Sequence, residues 1–107
     1  MPKTQTNGIE LYYEIHGEGK PLVLISGLGY PSWQWHKMVP LLAEKFQVIT
    51  FDNRGVGQSD KPAGPYTAQM LAQDVVGLLD ALHIEKAVVV GHSMGGFIAQ
   101  ALALDFP

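Results

Sequence analysis

The stretch Val88-Val89-Val90-Gly91-His92-Ser93-Met94-Gly95-Gly96 constrains this chain more than any other. An apolar β-branched run breaks at a glycine and restarts in a helical pattern, which places a serine on a tight strand-to-helix bend. Gly-x-Ser-x-Gly in that setting is a nucleophile elbow, a strained turn that lifts the serine Oγ clear of the sheet. Gly91 and Gly95 are steric requirements of such a bend, because a Cβ at either would collide with the adjacent strand or helix. The pentapeptide alone arises easily by chance. The strand before it and the helix after it give it weight.

The remaining sequence builds a sheet around that bend. Asn7-Gly8 predicts a two-residue hairpin turn between Lys3–Thr6 and Ile9–His16. In the second arm Ile9, Leu11, Tyr13 and Ile15 alternate with Glu10, Tyr12, Glu14 and His16, which predicts a half-exposed antiparallel strand with the first set facing the core. Leu22–Ile25 and Val48–Phe51 are apolar without alternation and read as strands covered on both faces, and Ala87–Val90 as the strand of the elbow. Trp35, Met38, Val39, Leu42 and Phe46 fall at helical spacing, with Pro40 kinking the helix or splitting it in two. The segments Asp52–Asp60 and Lys61–Pro65 are rich in turn formers and predict a long surface loop. Thr67 caps a helix faced by Leu71, Val75, Leu78 and Leu82, and Phe97, Ile98, Ala101 and Leu102 predict the buried face of a last helix over Met94–Asp105. A hairpin followed by alternating strands and helices specifies an α/β fold. Its expected form is an N-terminal β-hairpin plus a mainly parallel sheet with helices on both faces, in a single domain over residues 1–107.

Composition narrows the partners. A net charge of −3 with 16% charged residues offers no basic field to nucleic acid or an anionic membrane. Without cysteine, disulfides, thiolate metal sites and a catalytic thiol are excluded. Met1–Gly8 lacks the apolar core of a signal peptide, and no run approaches the roughly 20 apolar residues of a membrane span. The expectation is a cytoplasmic protein that uses no metal and no cofactor.

A serine hydroxyl needs a base, a group that orients the base, and donors for the oxyanion that forms. The backbone N–H of Met94, at a helix start, and that of Leu28, in the loop after Leu22–Ile25, are candidate donors. Three motifs now stand in order. Ser26-Gly27-Leu28-Gly29 is similar to the oxyanion loop of α/β-hydrolases, Asp52-Asn53-Arg54-Gly55-Val56-Gly57-Gln58-Ser59-Asp60 to their D-x-R-G-x-G-x-S-D loop, and Gly91–Gly96 to their elbow. The chain thus resembles the N-terminal half of an α/β-hydrolase. Ser26 stands where most members carry histidine. With Gly64-Pro65-Tyr66-Thr67 it is similar to 3-oxoadipate enol-lactonases.

That resemblance implies ester or lactone hydrolysis, with Ser93 as nucleophile, Leu28 and Met94 as oxyanion donors, and Gly27, Gly29 and Trp33 against the substrate. It also exposes a gap, because the family's acid and histidine follow the serine, and neither has a matching position in residues 94–107. His92 is a candidate base adjacent to Ser93, at a position usually directed away from it. His16 and His83 read as solvated, His36 as a surface or packing residue, and Asp52 and Arg54 as loop architecture, the latter a buried ion partner. An elbow strand without its usual neighbour would be an apolar edge, which predicts a homodimer or higher homo-oligomer through Ala87–Val90 or by exchange of elements. Two alternatives remain: an inactive half-domain, truncated or engineered, and a dinucleotide-binding module. For the latter, Gly27-Leu28-Gly29 and Asp52 imitate the fingerprint, with Ser32 in place of its third glycine.

Overall fold

The computed structural model describes residues 3–6, 8–26, 32–59, 61, 67–92 and 94–105, apart from the side chains of Trp33, Met94 and Asp105. Five strands form one sheet in the order β1-β2-β4-β3-β5. β1 (Lys3–Thr6) and β2 (Ile9–His16) make the expected hairpin, with Thr6 opposite Ile9 and Gly8 at φ +84° in the turn. β2 runs antiparallel to β4 (Phe46–Phe51), whereas β3 (Lys20–Ile25) runs parallel to both β4 and β5 (Val88–Gly91). β5 therefore ends the sheet.

Because successive side chains of a strand point to opposite faces, the apolar runs of β3 and β4 feed two cores. Val23, Ile25, Ile49 and Phe51 pack on one face with α2 (Ala68–Ala81) and α3 (Met94–Asp105), through Leu71, Val75, Leu78, Ile98 and Leu102. Leu22, Leu24 and Val48 pack on the other with Trp35 of a 3₁₀ turn (Ser32–Trp35), and with Val39 and Leu42 of α1 (Val39–Leu42). Pro40 divides this helical segment as its sequence predicts, since its ring suits the first turn of a helix and no later one. At α2, Thr67 Oγ1 accepts from Met70 N at 3.0 Å and caps the helix.

Several expectations need correction. Phe46 begins β4 instead of closing the helical run, and Met38 is exposed. On β2, Tyr12 is buried and Ile15 is 40% exposed, the reverse of their predicted faces. The loop after β4 folds back over Tyr12, and Tyr12 N donates to Ser59 Oγ at 2.9 Å. That loop is not a surface loop along its first part, for Asp52, Asn53, Arg54 and Ser59 are all buried. Phe97, expected in the core, is 66% exposed, and Leu104 is 82% exposed. Both lie on α3, and no described element buries them. Among the described residues no helix is long and apolar enough to cross a membrane.

Candidate active site

β5 ends at Gly91 and α3 begins at Met94, so two residues separate strand from helix. Gly95 N donates to His92 O at 2.9 Å and closes the turn, while His92 N donates to Ile25 O at 3.1 Å and fastens it to the end of β3. A Cβ on Gly91 would overlap Gly95 O and lie 2.6 Å from Gly96 N. One on Gly95 would overlap Ile25 O and lie 2.8 Å from Ile25 C. Backbone thus packs on backbone here, as the two glycines of the motif require. Met94 is the first residue of α3, and the amides of a first helical turn have no acceptor within the helix.

Ser26, after β3, and Ser32, at the start of the 3₁₀ turn, are both held by hydrogen bonds. Ser26 is fully buried, and its Oγ accepts from Trp35 Nε1 at 3.0 Å. Asn53 Nδ2 reaches Ser26 O at 3.5 Å. At the other end Ser32 N donates to Asp52 Oδ1 at 2.6 Å. Ser26 thus gives the Trp35 indole a buried acceptor, which that N–H requires. Asp52 Oδ2 accepts from Gln58 N at 2.9 Å, and its carbonyl from Ser59 Oγ at 2.5 Å. Both carboxylate oxygens of Asp52 are therefore committed to backbone amides of this chain, which argues against the ribose-binding role a dinucleotide module would give it.

Arg54 lies across from α2 and forms a two-pronged pair with Asp74, Nε to Oδ2 and Nη2 to Oδ1, each at 2.7 Å. The side chains are 9% and 1% exposed. A carboxylate so deeply placed needs such a fork, since neither charge alone would survive loss of water. Asp52 and Arg54 are loop architecture, as expected from sequence. Sequence reasoning did not identify Asp74, although a signal existed. It stands one turn from Leu71 and Leu78 on the apolar stripe of α2, where a charge demands a partner.

The histidines separate clearly. His92 is exposed, with its Nδ1 2.7 Å from Gln34 Nε2 and its ring edge-on to Trp35, centroids 6.5 Å apart at 87°. Gln34 thus holds the His92 ring through Nδ1. His83 is exposed just beyond α2, at φ +60°. His16 is not simply solvated, for its Nε2 lies 3.0 Å from Glu14 Oε1. His16 and the exposed His36 both line an open cavity of about 750 Å³ between β2, α1 and the Asp52 loop. Gly27, Leu28, Gly29 and Ser93 lie outside the described residues, as does the side chain of Trp33. Among the described residues no group of His, Asp and Glu is arranged to hold a metal ion.

The alpha/beta hydrolase fold family model matches residues 20–107. RutD of Azorhizobium caulinodans, provisionally named a carbamate hydrolase, is 40% identical over 107 residues, covering 100% of this chain and 40% of RutD. The enol-lactonase from Burkholderia xenovorans superposes with a TM-score of 0.95 at 41% identity, covering 98% of this chain and 42% of its own. Est816, described as an N-acyl homoserine lactone degrading enzyme, superposes at 0.94 with 42% identity, covering 99% and 41%. The chain spans about two fifths of the length of each of these relatives. Motif order, glycine-packed elbow, sheet order and these similarities agree that the chain belongs to the α/β-hydrolase family, of which it represents an N-terminal part.

Proposed function

We propose that this chain carries the nucleophile and oxyanion half of a serine hydrolase for carboxylic esters or lactones, with Ser93 as nucleophile. The observation that carries the reading is the elbow fastened by His92 N to Ile25 O, which brings the end of β3 and the start of α3 together. In this reading Ser93 Oγ attacks the carbonyl carbon and gives its proton to a base. The oxyanion then sits between the N–H groups of Leu28 and Met94, the alcohol leaves, and water releases the acid. Gly27 and Gly29 let the substrate approach the loop, and Trp33 walls the cleft. The lactone-acting relatives support a lactone or related ester as substrate.

His92 is a poor choice of base in this scheme, because Gln34 occupies its Nδ1 and its place in the motif is usually directed away from the serine. In this scheme the base and its orienting acid are groups outside residues 1–107, on further chain or on a second copy. The outer edge of β5 is the surface proposed for it, with Val88 and Val90 each about two fifths exposed, at 42% and 41%. An open apolar strand of this kind pairs readily with a second copy. An inactive half-domain would share the same edge, and chemistry at Ser93 separates the two readings.

The test combines fluorophosphonate labelling, hydrolysis of an N-acyl homoserine lactone across a range of protein concentrations, and mass by light scattering. The expected result is a covalent adduct on Ser93 that Ser93→Ala abolishes, with specific activity rising as oligomers form. Equal lactone turnover by the wild type and Ser93→Ala would refute the nucleophile, and a stable monomer at micromolar concentration would refute the assembly.

A further inference from the structure

The cavity beside β2 holds a cluster that the elbow chemistry does not use. Tyr12, Glu14 and His16 alternate along β2 and line the cavity together. Both oxygens of Glu14 are engaged. Oε2 accepts from the Tyr12 hydroxyl, and Oε1 lies 3.0 Å from His16 Nε2. The Tyr12 hydrogen bond holds the Glu14 carboxyl below its usual range, so the group is a carboxylate and can only accept. His16 Nε2 must then carry the ring proton, which leaves the lone pair on Nδ1. No described residue is bonded to Nδ1, and the side chain is 41% exposed, open to a small molecule.

A carboxylate holding one ring nitrogen so that the other is basic is the relation between base and orienting acid in a hydrolytic triad. Here a second residue, Tyr12, steadies the acid. Across the cavity Val39, Pro40 and Ala43 form an apolar wall, and the volume of about 750 Å³ has room for a small aromatic molecule. No described residue of β5 or α3 lines it.

We propose that this cavity is a second acyl-transfer site, in which His16 Nδ1 attacks activated aryl esters of short carboxylic acids. The aryl ring lies on Val39, Pro40 and Ala43. A bond forms from Nδ1 to the carbonyl carbon as the ester C–O bond breaks, and the phenolate departs with the electron pair. The acyl-imidazolium keeps its Nε2 proton on the Glu14 carboxylate, which offsets its positive charge. Water then attacks the acyl carbon, the carboxylic acid leaves with its proton to solvent, and neutral His16 is restored. The net reaction is ester plus water to acid plus phenol. This activity goes beyond the Ser93 reading and is independent of it.

The test is p-nitrophenyl acetate hydrolysis in a Ser93→Ala background, which removes the elbow nucleophile. His16→Gln keeps a donor for Glu14 and removes the attacking nitrogen, and is expected to lower the remaining rate on the order of tenfold. His83→Gln, outside the cavity, is expected to leave that rate unchanged. Diethyl pyrocarbonate followed by peptide mapping gives a readout without turnover. His16 should be carbethoxylated ahead of His83, and Glu14→Gln should remove that lead. A Ser93→Ala/His16→Gln protein with the same rate as Ser93→Ala would overturn the proposal, as would His83→Gln causing the loss instead. The lactone assay is read in the wild type, so failure of either site shows independently of the other.

Discussion

Two glycines one residue apart on the first turn of α3 should respond oppositely to the same methyl group. A Cβ at Gly95 would overlap Ile25 O and stand 2.8 Å from Ile25 C and 3.0 Å from Ser26 O. Ordinary contact begins at 3.4 Å, so clearing the carbon alone needs a shift of about 0.6 Å (3.4 minus 2.8), and clearing the oxygen needs more. Every atom in the way is backbone of β3 or of the residue after it, so no side chain can rotate aside. Overpacking of this kind costs about 1–3 kcal/mol or more. The helix-propensity gain of alanine over glycine returns only about 1 kcal/mol. With backbone on both sides the upper end of that range applies, so Gly95→Ala should lose about 3 minus 1, or about 2 kcal/mol net, roughly 10 °C in Tm for a domain of this size. At Gly96 the nearest atom to a new Cβ is Gly91 O at 3.9 Å, an ordinary contact. Gly96→Ala should thus be neutral, or stabilising by up to about 1 kcal/mol. Thermal unfolding at fixed protein concentration measures both, and the rate of fluorophosphonate labelling at Ser93 reports whether the elbow has moved. A Gly95→Ala protein as stable and as quickly labelled as Gly96→Ala would refute the account of how the elbow is packed.

Arg54→Met leaves Asp74 buried without its fork and should cost about 3–5 kcal/mol. With a urea slope of about 1.5 kcal/mol/M, that lowers the midpoint by about 2–3 M. Arg54→Lys should recover only part of the loss, since an ammonium cannot match both oxygens at once; full recovery would show that charge alone matters. Burial, aided by Glu14, raises the Tyr12 phenol from 10.0 to about 12. The folded state holds that proton more tightly than the unfolded chain, so this stabilisation is complete below pH 10 and is lost as pH rises through about 12. Glu14 behaves in the opposite sense. Its lowered carboxyl stabilises the fold above the ordinary carboxylate range, and that contribution disappears as pH falls through the lowered folded value. An ultraviolet titration should show one of the four tyrosines ionising late, and Tyr12→Phe should remove that step and raise the Glu14 pKa seen by carboxyl NMR. Four tyrosines titrating together would contradict the burial of Tyr12.

What the sequence made legible was what local geometry dictates. The Asn7-Gly8 turn, the Thr67 cap, the division at Pro40 and the strand-to-helix bend at Gly91 each depend on residues within a few positions of one another. The elbow strand was placed one residue early, at Ala87, because an alanine before three valines is apolar without being paired. Misjudged features depend on what packs from a distance. Alternation places Tyr12 on the polar face because it cannot show that Ser59 and its loop return over β2. Helical spacing places Phe97 in the core because it does not reveal which face of α3 the described sheet covers. Within the site, Gln34 and His92 are far apart in the chain, and neither residue type carries a signal that they meet. Arg54 announced a need for an acid, and only the packing of α2 chose Asp74.

The strand order has a consequence for how the site comes into being. Leu22 of β3 meets Val48 on one side and Val88 on the other, so the central strand waits for partners from progressively later parts of the chain. Such long-range pairing is slow to form because the loop must close before any contact rewards it. The hairpin, by contrast, closes locally at the opposite edge. β5 is the last of these five strands in the chain, and the bond from His92 to Ile25 cannot exist before it docks. The elbow therefore forms only after the hairpin has closed, and the amides of His92 and Gly95 should exchange before those of the β3–β4 pairing when the native state opens locally.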